Sequence, residues 1–331
     1  MKSVIARAMS AATLLLAVVQ PAIAGPLTLS DWRHDVHAGH ALVGKIWSVG
    51  ENGFVGQQEL LQVLQAVPVV LLGEKHDNAD HHRLQAQIVQ ALASEGMRPA
   101  LVFEMLTPMQ DDAEAAIHDP DISWSALDSI LAWSDRGWPE WDSYRRILAV
   151  ARRSRLPVLP GNAQRQETHA VSRAGLDHLS NGERERLALN APLPVRAQQQ
   201  LDEELMQSHC GHLPEAALPG MAAVQRLRDA RLADAVLRAT ARGRPAVLIA
   251  GAGHVRKDRA VPLYLMQRVP GLVVISIAIR EVDASETDPA AYAGLEKSDG
   301  SVLYDYVIFT PRVDDDDPCD TFAHQFGKTA D

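Results

Sequence analysis

The sequence predicts an α/β protein: a mainly parallel sheet covered by helices on both faces, carrying a large helical insertion. Three observations point there. Short apolar runs of strand length alternate with amphipathic stretches at helical spacing. The runs are apolar throughout rather than alternating with polar residues, as strands buried on both faces are. Two of them, 68–72 and 244–251, break into a glycine turn followed by a histidine.

The chain opens with Lys2 and Arg7 around an apolar run from Ala8 to Val19, then Ala22-Ile23-Ala24 before Gly25. This is the pattern of a secretory signal peptide over 1–24, with cleavage after Ala24. No later segment reaches about 18 uninterrupted apolar residues, so a soluble, exported protein is expected, periplasmic or secreted. Losing Lys2 and Arg7 takes the formal charge from -10 to about -12, which argues against nucleic acid or an anionic membrane as partner. A single domain is expected over 25–331, with a helical subdomain around 107–240.

Residues 25–66 hold a lead-in with Trp32, a glycine-bounded stretch from Gly44 to Gly56, and a helix over Gln57 to Gln65, all expected beside the first core strand. That strand runs from Pro68 to Leu72 and ends in Gly73-Glu74-Lys75-His76; Leu84, Ile88 and Leu92 mark the helix that follows. Arg98 to Met105 reads as a second strand ending in Glu104. Thr107-Pro108 with Asp111 and Asp112 is a helix start. Ser123 to Val150 is helical and carries four of the six tryptophans, Trp124, Trp133, Trp138 and Trp141, together with Tyr144.

Leu156 to Gly161 suits a third strand leading into Asn162. Residues 163–242 show helices only, the last from Met221 to Arg242 before Gly243. Arg244 to Val255 (RPAVLIAGAGHV) repeats the opening theme of strand, glycine turn and histidine. A helix over Val261 to Arg268 and strands over Gly271 to Ile279 and Val302 to Phe309 complete the pattern. Cys210 and Cys319 are the two cysteines. In an oxidising compartment they are expected to pair rather than to hold a metal.

Four strand ends thus deliver Glu74 and His76, Glu104, Asn162, and His254 to one edge of one sheet. Ligands in open α/β sheets bind at that edge. Such a set either holds a divalent metal, with Glu74, His76 and His254 as ligands, or works as general acid and base, with Glu74, His76, Glu104 and His254 as the catalytic groups. Capping or solvation of strand-end polar residues is the competing reading. His81 and His82 would act as neutral ligands if they face the cleft; otherwise one of them is exposed. His209 and His212 are spaced to share a helical face as a metal or haem pair, or simply end a helix beside a disulfide. The tryptophan-rich segment is either hairpin core or a flat apolar wall for a planar ligand, with Tyr144 or a nearby Met or His offering iron an axial ligand. No G-x-S-x-G, P-loop or H-E-x-x-H is present.

The ordered series LLGEKHDNADHH, FEM, WDSYRRILAVARRSRLPVLPGN, SHCGHLP with Gln225 and Asp229 after it, and GAGHVRKDRAVPLYL resembles the ChaN-like family of haem-binding uptake proteins. The likeness runs from about residue 40 to the region of Asp320. The G-E-x-H and G-A-G-H blocks are shared more loosely with erythromycin esterases and the Tiki/TraB proteins. The resemblance implies an exported α/β protein that binds haem in iron uptake, with an outer-membrane haem receptor system as partner and a homodimer around cofacial haems. It implies ligation by a tyrosine, matched to Tyr144, with a histidine nearby or from the other subunit; His209, His212 and the propionate-facing Arg145, with Arg146 and Arg152, complete the cofactor set. Family members are often lipoproteins, but no cysteine stands at the cleavage point here. The alternative is a metal-dependent hydrolase built on Glu74, His76 and His254.

Overall fold

The structure, a computed structural model, describes residues 27–110, 112–241, 243–294, 302–317 and 319. The signal peptide expected over 1–24 lies outside the described residues. Eight strands form one sheet: β1 (Ile46–Ser48), β2 (Gly53–Val55), β3 (Val69–Glu74), β4 (Ala100–Phe103), β5 (Val158–Pro160), β6 (Ala246–Gly251), β7 (Val274–Glu281) and β8 (Tyr306–Thr310). Their order across the sheet is β2-β1-β8-β7-β3-β6-β4-β5. The β1 pairings to β2 and β8 are antiparallel and the others parallel, so the sheet is mainly parallel.

The helices are α1 (Gln57–Gln65), α2 (Ala79–Ser94), α3 (Ala113–His118), α4 (Trp124–Ile130), α5 (Trp141–Ser154), α6 (Arg165–Ala174), α7 (Asn181–Arg186), α8 (Val195–Ser208), α9 (Leu218–Thr240), α10 (Val261–Arg268) and α11 (Pro289–Ala293). Strand residues alternate between two cores. Val70 and Leu72 join the core made with α1, α2 and α3 to α5. Val69 and Leu71 join the one made with α6, α9 and α10. All six residues of β3 are buried, as a central parallel strand covered on both faces requires.

Two expectations are corrected. The stretch from Gly44 to Gly56 forms the β1–β2 hairpin, which pairs with β8 rather than with β3, whose neighbours are β6 and β7. The helix expected from Thr107-Pro108 is a single 3-10 turn over Pro108–Gln110, and α3 starts at Ala113. The Thr107 hydroxyl donates to Gln110 Oε1 within that turn instead of capping a helix. Cys210 and Cys319 are disulfide-bonded, with Cα atoms 5.4 Å apart.

Candidate functional site

The turn from β3 into α2 is built by side chains. Asn78 caps α2, its Oδ1 accepting from the N–H groups of Asp80 (3.0 Å) and His81 (3.3 Å). The Lys75 N–H donates to His81 Nδ1 (2.9 Å), whose other ring nitrogen donates to Thr310 Oγ1 (2.8 Å). Burial pushes the His81 pKa well below 6.5, and the neighbouring cationic groups add to this, which suits the neutral tautomer that those two bonds demand. His82 Nε2 donates to the His76 carbonyl at 2.9 Å. Both histidines are fully buried. They therefore pin the turn, and neither is the exposed one that the sequence suggested.

What the turn presents is a row of alternating acids and donors. The Tyr144 hydroxyl, on α5, donates to Glu74 Oε1 at 2.9 Å. His76 Nδ1 donates to the same oxygen at 2.6 Å. His76 Nε2 lies 3.9 Å from Glu104 Oε1, and His254 Nε2 lies 3.3 Å from that oxygen on the other side. His254 Nδ1 meets Asp229 Oδ1, on α9, at 2.7 Å. The Gly251 N–H donates to Glu104 Oε2 at 2.8 Å. Asn162 Nδ2 donates to the Glu104 carbonyl at 3.0 Å. Four strand ends thus do converge, and two helices supply the ends of the row.

Burial opposes charge on His76, but its hydrogen bond to Glu74 and the charges of Glu74 and Glu104 outweigh it and raise its pKa to about 9. His254 is likewise raised to about 10: burial lowers it, and Glu104 and Asp229 more than compensate. The Glu104 carboxyl is held well below the usual carboxylate range, because His254 and then His76 overcome the penalty of its burial. Burial, and then the adjoining Glu74 charge, lift the Tyr144 phenol well above 10. The row thus sets the Glu104 carboxylate between two imidazoles whose charged form its neighbours favour. Only His76 opens outward, with 37% of its side chain exposed against 12% for His254. Trp138 stands edge-on over the His76 ring, with centroids 5.3 Å apart.

Residues 60–265 match the family described as haem-binding uptake, Tiki superfamily, ChaN. The chain belongs to this family. The match spans every residue of the row. A solved structure of ChaN of Campylobacter jejuni, described as showing cofacial haem binding, is 21% identical, covers 80% of this chain and 95% of its own, and superposes with a TM-score of 0.62. That likeness shows the shared fold. A mutant of the erythromycin esterase EreC in its open conformation is 11% identical over 79% of this chain and 95% of its own, with a TM-score of 0.44. The type III effector HopBA1 is 16% identical over 76% and 91%, with a TM-score of 0.39. No protein with a curated function matches the chain.

In this ChaN-family chain the other sequence candidates are placed as follows. Among the described residues, no group of three or more His, Cys, Asp or Glu side chains is arranged to hold a metal ion. Glu74 and His76 meet, but His254 stands beyond Glu104, so these three do not form a ligand triad. Tyr144 has 0% exposure and its ring packs between those of His82 and Trp133. The tryptophans line the same core. His209 and His212 share no helical face, because α8 ends at Ser208 and Cys210 and Gly211 take positive φ; His209 Nδ1 bonds to the Leu205 carbonyl. Arg145 is half-buried and pairs with Asp142 at 3.2 Å. Arg152 is tied to the carbonyls of Ile117 and Ile122.

Asp229 is the site residue that sequence reasoning did not assign to the site. It stood only as the end of a Q-x-x-x-D pattern. The available signal was an acid on a helix between Leu227 and Ala230, both fully buried, where an unpaired carboxylate is costly.

Proposed function

We propose that this chain is an exported haem-binding protein acting in haem uptake. The observation that carries the reading is the family match over 60–265, which contains the whole strand-end row. The signal-like N-terminus and the Cys210–Cys319 disulfide support an oxidising, exported setting.

The residues present fit a haem at one point. His76 is an imidazole whose Nδ1 is fixed by a carboxylate, as in metal-bound histidines supported from behind, and whose partly exposed ring keeps Nε2 free of any hydrogen bond, 3.9 Å from Glu104 Oε1. Trp138 supplies an aromatic edge beside it. We therefore assign the iron to His76, which can take it through Nε2 only after giving up the proton that Glu74 and Glu104 hold on the ring, and give Tyr144 the role of holding Glu74, since the buried phenol would have to leave both Glu74 and its ring contacts to reach an iron. When bound, the haem supplies a ferric centre that takes one protein ligand, and the protein supplies orientation and charge. Cofacial binding, as described for ChaN of Campylobacter jejuni, would bring a second copy of this chain with the second haem. A receptor system that hands over haem is the partner class expected.

The test is a Soret titration of residues 25–331 with haem. His76→Ala is expected to abolish the saturating band, and Tyr144→Phe to keep it with weaker affinity. A wild type without a Soret change would end the haem reading. Loss in Tyr144→Phe with retention in His76→Ala would end the ligand assignment alone.

A further inference from the structure

We infer that the groove between α2 and α5 is a separate binding site, which takes an organic dianion: an apolar body with an acid group at each end.

The two helices are crossovers of a parallel sheet and run side by side in one direction. The His82 and Tyr144 rings meet near their starts, with centroids 3.9 Å apart, and Arg153 Nη2 donates to Gln90 Oε1 at 3.0 Å near their ends. The groove between them holds about 490 Å³, the size of a small organic molecule. Arg83 and Arg146 stand at one end of it, and Gln90 and Arg153 at the other. On each helix the two end residues are seven positions apart, which at the helical rise is about 10 Å. The floor between them is apolar, made by Ala86 and Val150, both buried, and Ala149.

The charge here is unbalanced. The chain holds 42 acids against 32 lysines and arginines, and other partly buried arginines are committed to carboxylates: Arg231 to Glu167 and Glu183, Arg256 to Asp258 and Glu204, Arg259 to Glu204. The groove has three arginines and, among the described residues, no acid lining it. Only Arg83 has a carboxylate, Asp80 at 3.1 Å, and both oxygens of Asp80 also accept backbone N–H groups of Arg33 and His34. Arg153 has the neutral Gln90 amide alone. Arg146, exposed at the groove, has neither a hydrogen bond nor an ion pair among the described residues.

The Arg83 end is also held in place. Its Nη1 donates to the Thr28 carbonyl at 2.6 Å, and its guanidinium lies over the Trp32 ring, 4.9 Å from the centroid. Gln87 Oε1 accepts from the Thr28 N–H at 3.0 Å, which leaves its amide N–H groups as further donors to the groove. Guanidinium forks at both ends of an apolar floor ask for a carboxylate or phosphate at each. No histidine, tyrosine, cysteine or methionine lines the groove, so it offers iron no ligand and the inference stands apart from the haem reading.

The experiment is isothermal titration calorimetry of the purified protein with decanedioate, whose extended carboxylates stand about as far apart as the two ends, and with decanoate, the monoanion of the same length. Wild type is expected to bind decanedioate at one site per chain and roughly fivefold more tightly than decanoate. Arg146→Gln and Arg153→Gln are each expected to bring decanedioate down to the affinity of decanoate. Arg173→Gln makes the same change of charge on α6, whose Val171 joins the other core, and should leave both ligands unaffected. No saturable binding by wild type would overturn the proposal. Equal affinity for the two ligands, or a loss in Arg173→Gln as large as in the groove variants, would overturn it as well.

Discussion

Gly73→Ala is the sharpest test of how the site is held. Gly73 has no positive φ, so alanine suits its backbone and only the space around it matters. A Cβ there would lie 2.4 Å from Val255 Cγ2, 2.8 Å from Ala252 Cα and 3.3 Å from the Ile277 carbonyl oxygen. Ordinary contacts begin near 3.4 Å. Val255 is fully buried and cannot swing away, and Ala252 is backbone, so the turn that carries His254 must retreat by roughly 1 Å. Overpacking of this kind costs about 1–3 kcal/mol, and the clash with backbone puts it at the upper end. Alanine returns about 0.4–1 kcal/mol through the unfolded chain. A net loss of about 2 kcal/mol follows, or roughly 3 °C in Tm for a domain of about 300 residues. The retreat also draws His254 Nε2 away from Glu104, now 3.3 Å distant. Urea unfolding measures the loss, with Gly39→Ala as control, since a Cβ at Gly39 meets nothing within 4 Å. Stability of Gly73→Ala equal to that control would refute the steric account of this turn.

Gly251→Ala separates site from stability. Its Cβ would meet ring atoms of His76 at 3.2 and 3.3 Å, so we expect under about 1 kcal/mol of unfolding free energy lost but a several-fold weaker haem titration; unchanged binding would contradict the ligand assignment. His81 sets an acid limit. Its folded pKa is depressed below 6.5, so its contribution is present above that pH and is lost as pH falls, by about 1.4 kcal/mol per unit. The difference in urea stability between pH 7.5 and 5.5 should shrink in His81→Gln, and an identical slope would count against neutral burial. Reducing the Cys210–Cys319 bond, which closes a separation of 109 residues, should cost about 2–4 kcal/mol, seen as a Tm that falls with added thiol; a Tm indifferent to thiol would mean that the bridge constrains little.

The central strands were legible because β3, β4, β6 and β7 are apolar runs closed by glycine or an acid, and such runs have few alternatives. The β1–β2 hairpin was not. Its strands are three residues long, and its partner β8 is more than 250 residues away, with Ile46 opposite Ile308. No local pattern carries a pairing of that span. The start of α3 was misplaced for a related reason: Thr107 and Gln110 satisfy each other, an exchange that looks in sequence like a cap and its first turn.

The site divides in the same way. Glu74, His76, Glu104 and His254 were found because a buried strand announces its own carboxyl end. Asp229 was not, because spacing tells which face a residue occupies and not what lies opposite. Tyr144 shows the difference most clearly: its place on an aromatic helix says nothing of its buried partner Glu74, to which its hydroxyl donates at 2.9 Å. Glu104 explains why the row is so closed. A buried carboxylate needs donors on both oxygens, and it has the His254 imidazole on one and the Gly251 N–H on the other. With Nδ1 of His76 and both nitrogens of His254 already engaged, the exposed side of the His76 ring and the unpartnered Oε2 of Glu74 are where a ligand can meet the row without dismantling it.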